Sequence, residues 1–200
     1  MTTVKNAEIF ATAAHMAAGN VRKFTGEPYI VHPASVVDTL KHYMNEFEGV
    51  PNEIESIYRS WGDKYLTKIL AAAWLHDTVE DTGVTIENIE LHFGTIIRNW
   101  VEDLTKEVHS KDVSRAFRKS RECEKLKTIR IESKLIKIAD IFDNTKDLLK
   151  IPDKKYALTL ANEKKAQLDA VYTSECGLWS DCNKQIEYAI IRLKMAKAGE

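Results

Sequence analysis

The chain has 200 residues, 44% of them apolar, which is enough to bury one sizeable core, and we expect residues 1–200 to form a single domain. Its 29 basic and 30 acidic residues leave a formal net charge of −1, so the chain has no overall field for nucleic acid. An anionic ligand must therefore meet a local cluster of cations. With no run of about eighteen apolar residues and no apolar leader, we expect a cytoplasmic protein that binds no membrane.

The three cysteines predict free thiols. They are Cys123, Cys176 and Cys182. An odd number of cysteines without C-x-x-C spacing argues against a disulfide framework and against a zinc ribbon.

Apolar residues recur mostly at spacings of three and four, which is typical of helices, and no alternation is long enough for a strand. The first strong stripe follows Pro33, a residue that a first helical turn tolerates. It comprises Val36, Val37, Leu40, Met44 and Phe47. The segment 48–63 carries Gly49, Pro51 and Gly62 and therefore indicates a loop or a small surface insertion.

The apolar run at residues 69–73 indicates a buried helix, and Thr85 and Gly94 mark the start and the end of a short helix further on. Three more amphipathic stripes follow, formed by Ile96, Ile97, Trp100, Val101 and Leu104, by Leu135, Ile138, Ala139 and Phe142, and by Ile186, Ala189, Ile190, Leu193 and Ala196. With helices also expected over residues 152–197, the sequence predicts an all-α fold of about eight to ten helices.

Residues 74–82 read W-L-H-D-T-V-E-D-T and place two potential metal ligands, His76 and Asp77, directly after the buried run. Two more acids, Glu80 and Asp81, follow within the next helical turn of what we predict to be the same helix. Burying a histidine or a carboxylate is unfavourable unless a partner compensates it, and a divalent cation is an effective partner for both. This segment therefore points to a metal-dependent site.

Two distant residues are candidates for the remaining ligands. His32 follows a turn and begins a helix, although a histidine there is by itself more typical of packing. Asp140 lies inside an apolar helix and needs a counter-charge, which Lys137 could supply in place of a metal. Together with His76 and Asp77 they make a set of two imidazoles and two carboxylates from three helices. Such a set suits manganese, iron or a similar divalent ion, and it contains no thiolate for structural zinc.

Four motifs occur in order along the chain: Arg22-Lys23, G-E-P-Y-I-V-H-P over residues 26–33, L-H-D-T-V-E-D-T over residues 75–82, and K-I-A-D-I-F-D-N over residues 137–144. They resemble the HD superfamily of metal-dependent phosphohydrolases, and within it the alarmone (ppGpp) hydrolase domain of the RelA/SpoT type and its small stand-alone relatives. The resemblance runs from about residue 15 to residue 148. It implies the helical HD-domain fold around one metal site.

This resemblance implies Mn²⁺-dependent hydrolysis of ppGpp or pppGpp at the 3′-pyrophosphate, giving GDP or GTP and pyrophosphate. The manganese ion would be held by His32, His76, Asp77 and Asp140. Glu80 and Asp81 match the acid pair that orients the attacking water and handles its proton in the family. The other interpretation of these two acids is a solvated helix end, but carboxylates are unfavourable at the C-terminal end of a helix.

The resemblance also implies three contacts with the nucleotide. Arg22 would lie flat on the purine, Lys23 would reach a phosphate, and Asn144 would bond the ribose or an adjacent phosphate oxygen. Two departures from the family bear on nucleotide preference. Ile141 stands where the family usually has Arg or Lys, and the segment around residues 48–64 is longer than in the small relatives.

Two other functions remain open at this point. One is an HD phosphohydrolase that acts on another phosphorylated nucleotide, such as an adenosine alarmone, NADPH or a nucleoside monophosphate. The other is an HD module that binds a nucleotide without cleaving it, against which the intact Glu80 and Asp81 argue. The basic stretch at residues 115–121 is either a solvated helix face or a cationic rim that attracts the polyphosphate. The four histidines without a predicted metal role are His15, His42, His92 and His109.

Overall fold

A computed structural model describes residues 3–46, 50–107, 112–173 and 176–198. Its helices are α1 (Thr3–Ala17), α2 (Val31–Glu46), α3 (Asn52–Trp61), α4 (Asp63–Leu75), α5 (Thr78–Asp81), α6 (Ile86–Phe93), α7 (Thr95–Leu104), α8 (Arg115–Thr128), α9 (Ile131–Thr145), α10 (Lys154–Ala170) and α11 (Gly177–Ala198), with a 3₁₀ turn at Leu148–Lys150. Since α5 is a single turn, ten longer helices remain, and the described residues form no strand beyond an isolated bridge between Val21 and Pro28. The all-α prediction is confirmed.

Two helices, α4 and α9, lie at the centre of the molecule. Helix α4 packs against α1, α2 and α7, and α9 packs against α2, α7, α10 and α11. Most residues of α9 are buried, on every side of the helix, as expected of a helix enclosed by neighbours. Polar side chains on these two helices are therefore forced into the interior, where they need partners.

The C-terminal part of the chain covers one side of α9. A second, smaller apolar cluster lies between α10, α11 and the 3₁₀ turn, formed by Leu148, Ile151, Ala157, Ala161, Ala189 and Leu193. This packing fixes α10 between α8, α9 and α11. As a result, one edge of α10 faces the same cavity as the loop that precedes α2.

The helical stripes were predicted well. Val36, Val37, Leu40 and Met44 are buried, whereas Phe47 lies outside the described residues. The stripes of α7, α9 and α11 are also largely buried, with Ile96 and Ala196 as exposed exceptions near helix ends. Thr85 caps α6 with a reciprocal pair of bonds to Asn88, and Gly94 ends that helix with φ 82°, so its predicted bounds are confirmed.

Two local predictions were wrong. The segment predicted as a loop over residues 48–63 contains α3, and Val50 and Ile54 are buried in the main core. Gly62 ends this helix with φ 64°, so the glycine marks a boundary between helices instead of a loop. In addition, the helix of residues 69–75 does not continue to the acids, because α4 ends at Leu75 and α5 begins at Thr78.

The three cysteines are free thiols, as predicted. Within the described ranges, no helix combines the length and the apolar character that a membrane span requires.

Candidate metal centre and adjoining pocket

The four residues predicted as metal ligands lie together in the interior. His32 is at the start of α2, Asp140 is inside α9, and His76 and Asp77 occupy the junction between α4 and α5. The set therefore comes from two helices and a helix junction instead of three helices. Each side chain offers one nitrogen or oxygen atom, and these four atoms all lie within 4.8 Å of one another.

Both imidazoles direct Nε2 towards the carboxylates. His76 Nδ1 donates to the carbonyl oxygen of Ala73 at 2.8 Å, and His32 Nδ1 donates to Asp143 Oδ2 at 2.6 Å. Both Nε2 atoms are buried without a hydrogen bond. The Nε2 atom of His76 lies 3.1 Å from Asp77 Oδ2, and that of His32 lies 3.2 Å from Asp140 Oδ1. A nitrogen lone pair facing a carboxylate is repulsive unless a proton or a cation lies between them. The donor set and its orientation fit a divalent ion.

The carboxylates of Asp77 and Asp140 are held by polar neighbours. Tyr29 Oη donates to Asp77 Oδ2 at 2.5 Å, and Lys137 Nζ lies 2.8 Å from Asp140 Oδ2. Asn144 Nδ2 donates to the other Asp140 oxygen. Burial opposes the ionisation of Asp140, but the Lys137 ammonium outweighs it and holds the pKa of this carboxyl well below its usual range. An ion pair with Lys137 and a metal-binding role are therefore compatible for Asp140, because Lys137 contacts Oδ2 while Oδ1 still faces the two imidazoles.

Asp143 is part of the site, and the sequence reasoning assigned it no role. Besides His32, it contacts the Arg22 guanidinium, with Nη2 3.2 Å from Oδ2, and the Lys146 ammonium, with Nζ 3.2 Å from Oδ1. A carboxylate on the far nitrogen of a metal-binding histidine fixes the ring and makes it more basic. The available sequence signal was its position three residues after Asp140, on the same side of α9.

The structure separates the two acids predicted to be catalytic. Asp81 is exposed and lies near Tyr29 and Asp77, and its backbone oxygen accepts a bond from Asn20 Nδ2 at 2.7 Å. Partial desolvation by its neighbours and the nearby Asp77 charge raise the pKa of Asp81. Glu80, in contrast, is held by Lys106, whose backbone nitrogen and Nζ each lie 2.5 Å from a Glu80 oxygen. Of the two acids, Asp81 is therefore the one whose charge interacts with Asp77 of the cluster.

A cavity of about 260 Å³ adjoins the cluster. Its walls include all three residues predicted to contact the nucleotide, together with side chains from α10 that the sequence reasoning did not single out: Arg22, Lys23, Tyr29, Asn144, Tyr156 and Lys164. Tyr29 and Asn144 belong to both sites, because each also bonds a carboxylate of the cluster. The cavity thus adjoins the candidate metal centre through these two side chains.

The cationic residues of this cavity are partly occupied by other contacts. The Arg22 guanidinium pairs with Asp143, so its interaction with a base would use the open face of the group. Lys23 Nζ lies 3.1 Å from Tyr156 Oη and 5.0 Å from the centre of that ring. Arg115 approaches the same ring at 5.8 Å while it forms a two-pronged pair with Glu163. Tyr156 therefore contributes an aromatic ring to the wall of the cavity, with cations beside it.

The remaining candidates lie outside the metal cluster. His15 is buried and contacts Asn20, His92 stacks on Phe10, and His42 is exposed. His109 is not among the described residues. The basic stretch forms the start of α8 and is mostly exposed.

The sequence matches the HD domain family over residues 7–167, and the chain therefore belongs to the HD domain family. This match extends beyond the range of the motifs and includes most of α10.

Several relatives carry the name guanosine-3′,5′-bis(diphosphate) 3′-pyrophosphohydrolase. The chain is 39% identical to the MESH1 protein of that name from Xenopus tropicalis, over 60% of this chain and 56% of the relative. The human MESH1 protein is 35% identical over 62% of this chain and 57% of the relative. The chain thus matches less than two thirds of the length of either protein.

One solved structure resembles the whole fold. It is described as a metazoan ortholog of SpoT that hydrolyzes ppGpp, and it superposes with a TM-score of 0.71, covering 96% of each chain at 22% sequence identity. At this identity the likeness concerns the fold.

Proposed function

We propose that this chain hydrolyses guanosine 3′,5′-bis(diphosphate) and its pentaphosphate analogue at the 3′ position, giving GDP or GTP and pyrophosphate, with residues 1–200 acting as one domain. The observation that carries this proposal is a cluster of two imidazoles and two carboxylates that adjoins a cation-lined cavity, to which it is linked by Tyr29 and Asn144. The names of the MESH1 relatives from Xenopus tropicalis and human support the choice of nucleotide.

The ion in this proposal is Mn²⁺, held by His32, His76, Asp77 and Asp140. Imidazole and carboxylate ligands suit manganese. When bound, such an ion lowers the pKa of coordinated water and polarises the phosphoryl oxygen, which provides a nucleophile near neutral pH. Asp143 and the Ala73 carbonyl keep both imidazoles in the tautomer that presents Nε2.

The protein residues then position the reactants and move the proton. Asp81 accepts the proton of the attacking water, for which its raised pKa and its place beside Tyr29 and Asp77 are suitable. Glu80 orients the same water in this proposal, although its two oxygens are also held by Lys106. Both roles require the acids to be ionised at the start of the reaction.

The nucleotide would extend from the cluster along the cavity. Asn144 and Lys23 would bond the ribose and the phosphates, and the purine would lie on the open face of Arg22. Because this stacking accepts any purine, the enzyme should depend more on the 3′-pyrophosphate than on guanine.

Chelation of the metal provides the direct test. Purified protein with Mn²⁺ is expected to release pyrophosphate from ppGpp, and EDTA should abolish the reaction until Mn²⁺ is restored in excess. Nucleotides can be analysed by ion-exchange chromatography, with GTP, NADPH and an adenosine alarmone as controls. Efficient cleavage of GTP would show attack on the 5′ side and would contradict the proposal. Binding of ppGpp without turnover would identify a non-catalytic module.

Manganese affinity is expected to increase with pH. Burial opposes the charged form of His32, but the carboxylates of Asp140, Asp143 and Asp77 around the ring outweigh it and raise its pKa from 6.5 to about 10 in the metal-free protein. Protonation of His32 therefore stabilises the metal-free fold at low pH, and this stabilisation is lost as the pH rises through about 10.

A bound ion must displace that proton, so the apparent affinity should increase by up to about tenfold per pH unit below pH 10. Calorimetric titration with Mn²⁺ in buffers of different ionisation enthalpy would count the protons released. An affinity that stays constant between about pH 6.5 and 8.5 would contradict this assignment.

A further inference from the structure

Three lysines approach the metal centre from the side of α7, α9 and α10. Lys106 follows α7, Lys137 lies in α9 and Lys164 lies in α10. The charges of Lys106 and Lys137 both act on Lys164, and so do those of Asp140 and Glu122. The three ammonium groups are thus close enough to repel one another, and each of them needs an anionic partner.

Two of these lysines have a partner in the protein. Lys106 Nζ pairs with Glu80 at 2.5 Å and Lys137 Nζ pairs with Asp140 at 2.8 Å. Lys164 is different. It is only partly exposed, and among the described residues its ammonium forms no hydrogen bond and has no carboxylate oxygen within 4.0 Å.

The surroundings of Lys164 show where its partner would bind. Lys164 lines the cavity that holds Arg22, Lys23 and Asn144, and its charge acts on the metal-binding Asp140. It therefore lines the cavity within electrostatic range of the cluster. A partly buried cation without a partner is unfavourable, and a phosphate oxygen from a ligand in the cavity would relieve this cost.

We infer that Lys164 binds the pyrophosphate group of the substrate and of the product. This inference rests on the proposed function for the identity of the substrate, but the binding of free pyrophosphate can be measured separately. In this role Lys164 neutralises the phosphate oxygens that the ion does not contact. It is a substrate-binding residue in addition to Arg22, Lys23 and Asn144.

The test is a calorimetric titration of the manganese-loaded protein with inorganic pyrophosphate at a fixed excess of Mn²⁺. Lys164→Met keeps the length of the side chain and removes the charge, so pyrophosphate should bind about tenfold to hundredfold more weakly. Lys164→Arg retains a cation and should stay within about threefold of wild type. The matched control is Lys165→Met, because Lys165 is the next residue of α10 and pairs with Asp169 at 2.5 Å. It should bind pyrophosphate like wild type.

Two further measurements separate this role from a purely structural one. The melting temperature of Lys164→Met should equal or exceed that of wild type, because the substitution removes an ammonium without a protein partner. Its Mn²⁺ affinity should change much less than its pyrophosphate affinity. Unchanged pyrophosphate binding in Lys164→Met would overturn the inference, and so would an equal loss of Mn²⁺ affinity, which would show that Lys164 acts through Asp140.

The outcomes also distinguish this inference from the proposed function. If the wild type fails to cleave ppGpp but binds pyrophosphate through Lys164, the function is wrong and the binding site stands. If ppGpp is cleaved and Lys164→Met binds pyrophosphate normally, only the inference fails.

Discussion

Replacing Asp81 by Asn is expected to lower kcat for ppGpp by about a hundredfold or more, which is the effect of removing a group that manages a proton in the transition state. Asparagine keeps the shape of the side chain, so the affinities for nucleotide and Mn²⁺ should change little. Single-turnover kinetics with saturating Mn²⁺ would measure the chemical step directly. A near-normal kcat would show that Asp81 is only a polar residue at the end of α5.

The same change at Glu80 tests a more complicated role, because Glu80 also holds Lys106. Glu80→Gln is likewise expected to lower kcat by about a hundredfold, with nucleotide affinity preserved. Lys106→Met removes the partner and leaves the acid in place, so it should retain much more activity than Glu80→Gln. If the two variants lose activity equally, Glu80 serves to position Lys106 and takes no part in orienting water.

Asp143→Asn is expected to weaken Mn²⁺ binding by about tenfold to hundredfold, as is usual when the hydrogen-bond partner of a metal-binding histidine is removed. The 2.6 Å contact with His32 Nδ1 fixes the ring, and an amide in its place is neutral and can present its NH₂ to the same nitrogen. The effect should appear in metal affinity measured by calorimetry. At saturating Mn²⁺, kcat should recover substantially.

Two control variants test whether Asp143 acts through His32. Asp147→Asn removes a carboxylate four residues later that pairs with Lys150 at the surface, and its Mn²⁺ affinity should remain that of wild type. Arg22→Ala removes a second partner of Asp143 and should weaken metal binding less than Asp143→Asn does. Equal Mn²⁺ affinity in Asp143→Asn and wild type would mean that the contact does not orient the ring.

The sequence was sufficient to predict the class of fold and the four residues that lie together in the candidate metal centre. Helical stripes such as that of α9 depend on periodicity, which the chain shows directly. These four residues could be singled out because polar residues such as Asp140 interrupt apolar runs, where burial requires a partner. Such signals are local in the sequence, so they can be recognised without knowledge of the packing.

The contacts that depend on packing could not be predicted. The helix α3 was missed because the glycines and the proline at its ends suggested a loop, while its burial depends on distant helices. Glu80 and Lys106 are 26 positions apart in the sequence, and no periodic pattern predicts their ion pair. No sequence pattern distinguishes Lys164 from the other lysines, because its lack of a partner among the described residues is visible only when α10 is placed against the cavity.

Tyr29 and Asn144 each bond a carboxylate of the cluster while they line the adjoining cavity, so in the proposed function metal and nucleotide would share part of their binding surfaces. The ion and the phosphoryl group attract each other, which makes their binding mutually favourable. This coupling is reciprocal, so the factor by which Mn²⁺ strengthens nucleotide binding equals the factor by which the nucleotide strengthens Mn²⁺ binding. In the proposed function, accumulation of the nucleotide would therefore recruit the ion that its own removal requires when manganese is scarce.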